Sequence, residues 1–208
     1  MARFEARLAK SRRGWSRSQY LRIKALAVAA GSSDPQALRL CLDLNRRAIE
    51  EEPTGLNRAW ALRELGGLHG RLNEPDEALR CLDELQGNYD QEQGANALAG
   101  HPFILTVELL IGRNGPGDLE RARWILDSKA VPGGFVFAAS RFNYHAMCAR
   151  YFQAAGDLPS AQVCARKALE DAAPIEPDIA SRPDLPRFRA PEARVAELNA
   201  ILGGTGNR

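Results

Sequence analysis

His145 and Cys148 have the i, i+3 spacing that places two side chains on one face of a helix, and Cys164 lies on the next helical segment. An imidazole and two thiols are zinc-ligand chemistry, and a cysteine beside a histidine is nucleophile chemistry. Two observations weigh against both. The three histidines, His69, His101 and His145, are scattered without metal-ligand spacing. The four cysteines, Cys41, Cys81, Cys148 and Cys164, form no C-x-x-C pair and all fall inside apolar helical patterns. Free cysteines behave there as small buried hydrophobes. We therefore expect reduced thiols, with His69, His145 and Cys148 filling a helix–helix seam. The glycines of Gly112-Arg-Asn-Gly115-Pro-Gly117 neither follow a strand nor have phosphate-loop spacing, so they read as a turn. The acidic groups Glu50–Glu52, Glu74, Asp76, Glu77, Asp83 and Glu84 read as solvated faces. No catalytic residue, metal or cofactor is expected.

Charge adds one further chemistry. Residues 1–24 hold eight lysines and arginines against Glu5 alone, whereas the whole chain is only +2, so the remainder is net acidic. That basic segment could contact phosphates, with Trp15 or Tyr20 stacking on bases, which makes nucleic-acid binding the alternative function. Its composition also fits a targeting segment or a solvated helix. Ser11-Arg12-Arg13-Gly14-Trp15 has the look of an export motif. The apolar stretch behind it, Ala25–Ala30, is shorter than the roughly 7–15 residues that a signal requires. We expect a cytoplasmic protein without a membrane span.

These residues are positioned by a repeated element. Gly31-Ser-Ser-Asp-Pro-Gln-Ala37, Asn73-Glu-Pro-Asp-Glu-Ala78, Gly117-Asp-Leu-Glu-Arg-Ala122 and Gly156-Asp-Leu-Pro-Ser-Ala161 each set turn residues before an alanine-centred amphipathic helix. The alanines are 41, 44 and 39 residues apart. Sixteen, thirteen, twelve and nine residues before Ala78 stand Leu62, Leu65, Gly66 and His69; Leu82 and Leu85 follow it. The same offsets from Ala161 give His145, Cys148, Ala149 and Phe152, then Ala165 and Ala168. Antiparallel helix pairs follow, in which a small residue twelve before the alanine faces it and the larger ones fill the seam. Lys24, Arg113 and Lys129 depart from the apolar pattern in the two other copies. Apolar residues at 45% suffice for such cores.

The stretches Leu62–Leu85 and Asn143–Leu169 resemble the tetratricopeptide-repeat family, and the resemblance covers roughly residues 16–172. It implies an all-α solenoid of about four antiparallel helix pairs. It also implies a concave surface, lined by the first helix of each pair, that holds an extended peptide. Projected onto those helices, the surface comprises Gln19 and Arg22; Trp60, Arg63 and Arg71; Ile104 and Val107; then Asn143, Arg150 and Gln153. Arginine forks bind carboxylates bidentately, so an acidic or carboxylate-ended peptide suits this set. Gly66 has a packing reason; Gly67 and Gly70, on the same helix, have none in the sequence.

The domain map is a basic arm or helix at 1–15, repeats at 16–172, a proline-rich connector at 173–188, a capping helix at 189–202 and a disordered tail at 203–208. Helices are expected near 3–12, 16–30, 35–51, 56–71, 75–86, 102–112, 118–129, 136–155, 158–172 and 189–202. The expected function is a protein–protein adaptor, not an enzyme. Nucleic-acid association, and an enzyme or sensor at His145, Cys148 and Cys164, stand as alternatives.

Overall fold

The computed structural model describes residues 2–11, 14–91, 102–128, 138–173 and 188–204. Arg12, Arg13, His101, Lys129, most of the proline-rich connector and the tail from residue 205 lie outside the described residues. Among the described residues the secondary structure is entirely helical. The helices are α1 Ala2–Lys10, α2 Trp15–Ala30, α3 Pro35–Glu51, α4 Leu56–Arg71, α5 Pro75–Gln91, α6 Pro102–Arg113, α7 Asp118–Ser128, α8 Ala138–Ala154, α9 Leu158–Ala172 and α10 Glu192–Leu202. None is long and apolar enough to cross a membrane.

Local chemistry sets many of these boundaries. The Asp34 carboxylate accepts hydrogen bonds from the Gln36 and Ala37 backbone N–H groups at 3.1 and 3.4 Å, and Pro35 begins α3 where a missing N–H costs nothing. Asp157 caps α9 in the same manner, accepting from Ser160 N–H at 3.1 Å. The reversal before it needs the left-handed backbone of Gly156, at φ 79°. Two boundaries differ from expectation by more than two residues. Helix α5 runs on through Gly87 to Gln91, because one exposed glycine costs a helix only about 1 kcal/mol. Helix α10 begins at Glu192, since Pro191 disfavours helical backbone at the residue before it.

Two compact units divide the chain, Met1–Pro102 and Phe103–Arg208. In the first, α2 pairs with α3 and α4 with α5, while α4 also packs against α2 and α3. The basic N-terminal segment is not a free arm over Ala2–Lys10. Phe4 stacks on Tyr20 with ring centroids 5.3 Å apart, Leu8 is buried, and Glu5 pairs with Arg47. In the second unit α8 pairs with α9, and α10 packs across both.

Small residues let the paired helices approach. Ala78, Ala122 and Ala161 are completely buried. A Cβ added at Gly66 would lie 2.8 Å from Leu82 Cγ and 3.4 Å from the Ala78 carbonyl oxygen. The side chain that demands glycine there is therefore Leu82, with Ala78 contributing its backbone. In the last pair Ala146, Ala149, Ala161, Ala165 and Ala168 form one core with Phe142, and Leu198 and Ile201 of α10 close it.

The α6–α7 turn is held by Asp118, whose side chain is 3% exposed. Its carboxylate accepts from Arg113 Nε at 2.9 Å and from Gly115 N–H at 2.7 Å. The Arg113 guanidinium first, then the Gly115 N–H, hold its pKa below the usual carboxylate value. A lowered carboxyl contributes stability that is complete above its unfolded pKa and is lost as pH falls through the folded one. We expect Asp118→Asn to cost unit 2 about 1–2 kcal/mol at pH 7, from a weakened charge-assisted network. The difference from the unaltered protein should shrink as pH drops below about 4, read by urea titrations across pH.

Candidate functional site

In unit 1, α2 and α4 lie side by side and carry Arg22, Trp60, Arg63 and Arg71. Arg22 is 8% exposed and turned into the protein. One terminal nitrogen donates to Asn57 Oδ1 at 3.0 Å and the other to Glu64 Oε1 at 2.7 Å. Asn57 in turn donates to the Trp15 carbonyl and to Glu52, so this network joins α2 to the start of α4. Burial raises the Glu64 pKa despite the opposing pull of Arg22. Arg71 donates to the Ala29 and Ser32 carbonyl oxygens at 3.1 and 2.5 Å, a cation placed on the C-terminal end of α2.

Trp60 is half-buried between these anchor points, and two guanidinium groups stand over its indole. Arg22 Cζ lies 5.4 Å and Arg63 Cζ 5.9 Å from the ring centroid, within cation–π range. Arg63 is exposed, and among the described residues no carboxylate closes on it. One turn further along α4, a Cβ at Gly67 would meet nothing within 4 Å. Leu26 on α2 is 47% exposed. The exposed part of this face thus offers a cation on an aromatic plate, an apolar side chain and a stretch of bare helix backbone.

The corresponding residues of unit 2 are differently placed. Asn143 is exposed and Gln153 half-buried, whereas Val107, expected on the face, is fully buried in the core. Ile104 is half-buried. Arg150 is engaged by the C-terminal helix: its Nε lies 2.9 Å from Glu197, and its Nη1 lies 3.7 Å from Glu108. Arg194 bridges the same two carboxylates, at 2.7 Å to Glu108 and 3.2 Å to Glu197. Periodicity had no means of finding this alternating network, because α10 reaches it across the proline-rich connector.

Among the described residues no group of three or more histidine, cysteine and acidic side chains is disposed to hold a metal ion. His69 is buried, with Nδ1 2.7 Å from Glu74 Oε2, and Arg39 pairs with the same carboxylate. These partners, His69 first, lower the Glu74 pKa. His145 stands at the rim of the α8–α9 seam, against Asp171 of α9, rather than buried within it. Its side chain is 23% exposed, and Nδ1 lies 2.7 Å from Asp171 Oδ2, beside Arg141 on Oδ1 at 2.8 Å. Cys148 is buried and Cys164 half-buried. The Cys164 thiol and burial raise the Cys148 pKa, whereas Cys148, and to a smaller extent Lys167, lower that of Cys164 against the effect of burial. Tyr144, beside Cys148, is pushed up to about 12 by burial.

For the nucleic-acid alternative, Trp15 is exposed, but the Tyr20 ring is stacked on Phe4, and Arg17 and Arg22 are paired with Glu51 and Glu64. Compared with family models, curated proteins and solved structures, the chain matches none of them.

Proposed function

We propose that this chain is a tetratricopeptide-like adaptor that binds an extended peptide on the α2–α4 face of unit 1, with a peptide carboxylate held by Arg63. The observation that carries the reading is the Arg63 guanidinium, poised over Trp60 with no carboxylate of its own among the described residues. The neighbouring arginines support it by contrast: Arg22 serves the fold, and Arg71 ties the two helices together. A planar guanidinium held on an aromatic ring loses little freedom on binding and matches a carboxylate bidentately. The bare backbone at Gly67 on α4 leaves room for the peptide main chain, and exposed Leu26 on α2 is available to an apolar side chain. The reading places the four thiols in a reducing compartment, the cytoplasm.

Selection from a displayed random-peptide library tests this directly. Recovered sequences should be enriched in aspartate, glutamate or a free C-terminus next to an apolar residue. Arg63→Glu and Trp60→Ala should each weaken the selected peptides at least ten-fold, about 1.4 kcal/mol or more, with the helical circular-dichroism signal preserved. Equal affinity for the original and both variants would remove this face from consideration.

A further inference from the structure

Where α2, α3 and α4 meet, Ser18 Oγ, Arg22 Nε, Asn45 Oδ1 and Glu64 Oε2 are enclosed and make no hydrogen bond to another group among the described residues. A fifth such atom, Arg17 Nε, belongs to the separate Arg17–Glu51 pair. The contacts around the four bring them together. A guanidinium and a carboxylate can form two parallel bonds. Arg22 and Glu64 make one of them, Nη2 donating to Oε1 at 2.7 Å, and the atoms left over are Nε and Oε2 of that same pair. Ser18 lies one turn before Arg22 on the same face of α2, and a helical side chain leans back over the preceding turn. Arg22 does so, since its Nη1 reaches Asn57, which itself holds the Trp15 carbonyl. On α3, Cys41 Sγ donates to the Ala25 carbonyl at 3.3 Å, and Glu51 lies 3.4 Å from Arg17. The antiparallel register between those two contacts sets Asn45 level with Arg22. Asn45 is fully buried, and its Nδ2 is spent on the Cys41 carbonyl at 3.1 Å, which leaves Oδ1 as the remaining acceptor. Burial dominates the Glu64 pKa, and Asn45 is among the groups that oppose it, as a neighbour of that carboxylate would.

We propose that the α2–α3–α4 junction is a binding site for one structural water, which accepts from Arg22 Nε–H and the Ser18 hydroxyl and donates to Glu64 Oε2 and Asn45 Oδ1. Two donors and two acceptors are the complement of a water molecule's two lone pairs and two hydrogens. Enclosed polar atoms are costly without partners, and a buried water typically makes about three hydrogen bonds to such atoms. The molecule joins three helices at one point. It also fixes the Arg22 guanidinium, whose Cζ lies 5.4 Å from the Trp60 ring centroid. As a neutral bridge it does not replace the Glu64 charge. The site is internal and is independent of the peptide-binding reading.

A high-resolution crystal structure of the full chain tests the site. One spherical density peak should stand about 2.7–3.2 Å from at least three of the four atoms. In solution, oxygen-17 relaxation dispersion reports long-lived internal waters. The double variant Arg22→Met with Glu64→Leu removes one donor and one acceptor, and its dispersion should lose the contribution of one such molecule relative to the unaltered chain. A closed fork, with Arg22 Nε directly on Glu64 Oε2 and no density beside it, would overturn the proposal. So would a peak touching fewer than three of the atoms, or equal dispersion in the two proteins. The crystal result on the unaltered chain decides the matter even where the double variant fails to fold.

Discussion

Glu64→Ala should cost unit 1 about 3–5 kcal/mol, a large share of the roughly 5–15 kcal/mol that holds a domain folded. The reason is what remains behind. The side chains of Arg22 and Glu64 are 10% and 8% exposed, and without the carboxylate the Arg22 charge stays buried with only the neutral Asn57 oxygen as a hydrogen-bond partner. The pair itself adds little net stability. Burial outweighs the attraction of Arg22 in setting the Glu64 pKa, which is raised rather than lowered. Taking both ions out of water therefore consumes most of what their contact returns. Replacing both together, as Arg22→Met with Glu64→Leu, should consequently cost far less than either single change and come out near neutral. Urea unfolding of the two single variants and the double variant measures this as a coupling energy. A Glu64→Ala penalty under about 1 kcal/mol would mean that the charge finds water and that the network is a surface feature.

The second large effect separates two adjacent glycines of α4. Gly66→Val should destabilise unit 1 by about 3 kcal/mol, the upper range for overpacking a closed core. Its Cβ would fall 2.8 Å from Leu82 Cγ, and Leu82 is itself fully buried with nowhere to retreat. Even Gly66→Ala should be destabilising, although alanine favours a helix over glycine by about 1 kcal/mol. Gly67→Ala should do the opposite, raising stability by up to about 1 kcal/mol, because its Cβ meets nothing. Thermal melts of the variants give the signs at once. Gly67→Ala also probes the proposed face, since a methyl group placed where a peptide backbone lies should weaken peptide binding while the fold gains.

The contrast between these glycines marks what the sequence carries and what it leaves open. The helices were legible because caps, prolines and anchor alanines recur at each turn, and Ala78, Ala122 and Ala161 sit fully inside. The offset twelve before each anchor identified Gly66 as a packing residue, but not Leu82 as the side chain responsible. The candidate face was legible only as a list of positions. Periodicity assigns a residue to a side of a helix and is silent about what waits there. Arg22 turns inward because Asn57 and Glu64 meet it from 35 and 42 residues away. Arg150 is taken up by α10 through Glu197. Arg63 stands over Trp60, and among the described residues no ion-pair partner reaches it. The offset of His145 places it at the α8–α9 seam, and the structure sets its polar ring at the rim of that seam against Asp171 of α9.

The alanine-lined interface between α8 and α9 carries a thermodynamic consequence. Alanine surrenders no rotamer freedom when it is enclosed, and it removes little hydrocarbon from water. That interface thus forms at small entropic cost and for small hydrophobic return, and by itself it is nearly balanced. The balance is tipped by a few bulky groups, Phe142 from within and Leu198 and Ile201 from α10. The closing helix is in this sense a constituent of the domain it closes, and the melting of α8 and α9 should follow its attachment.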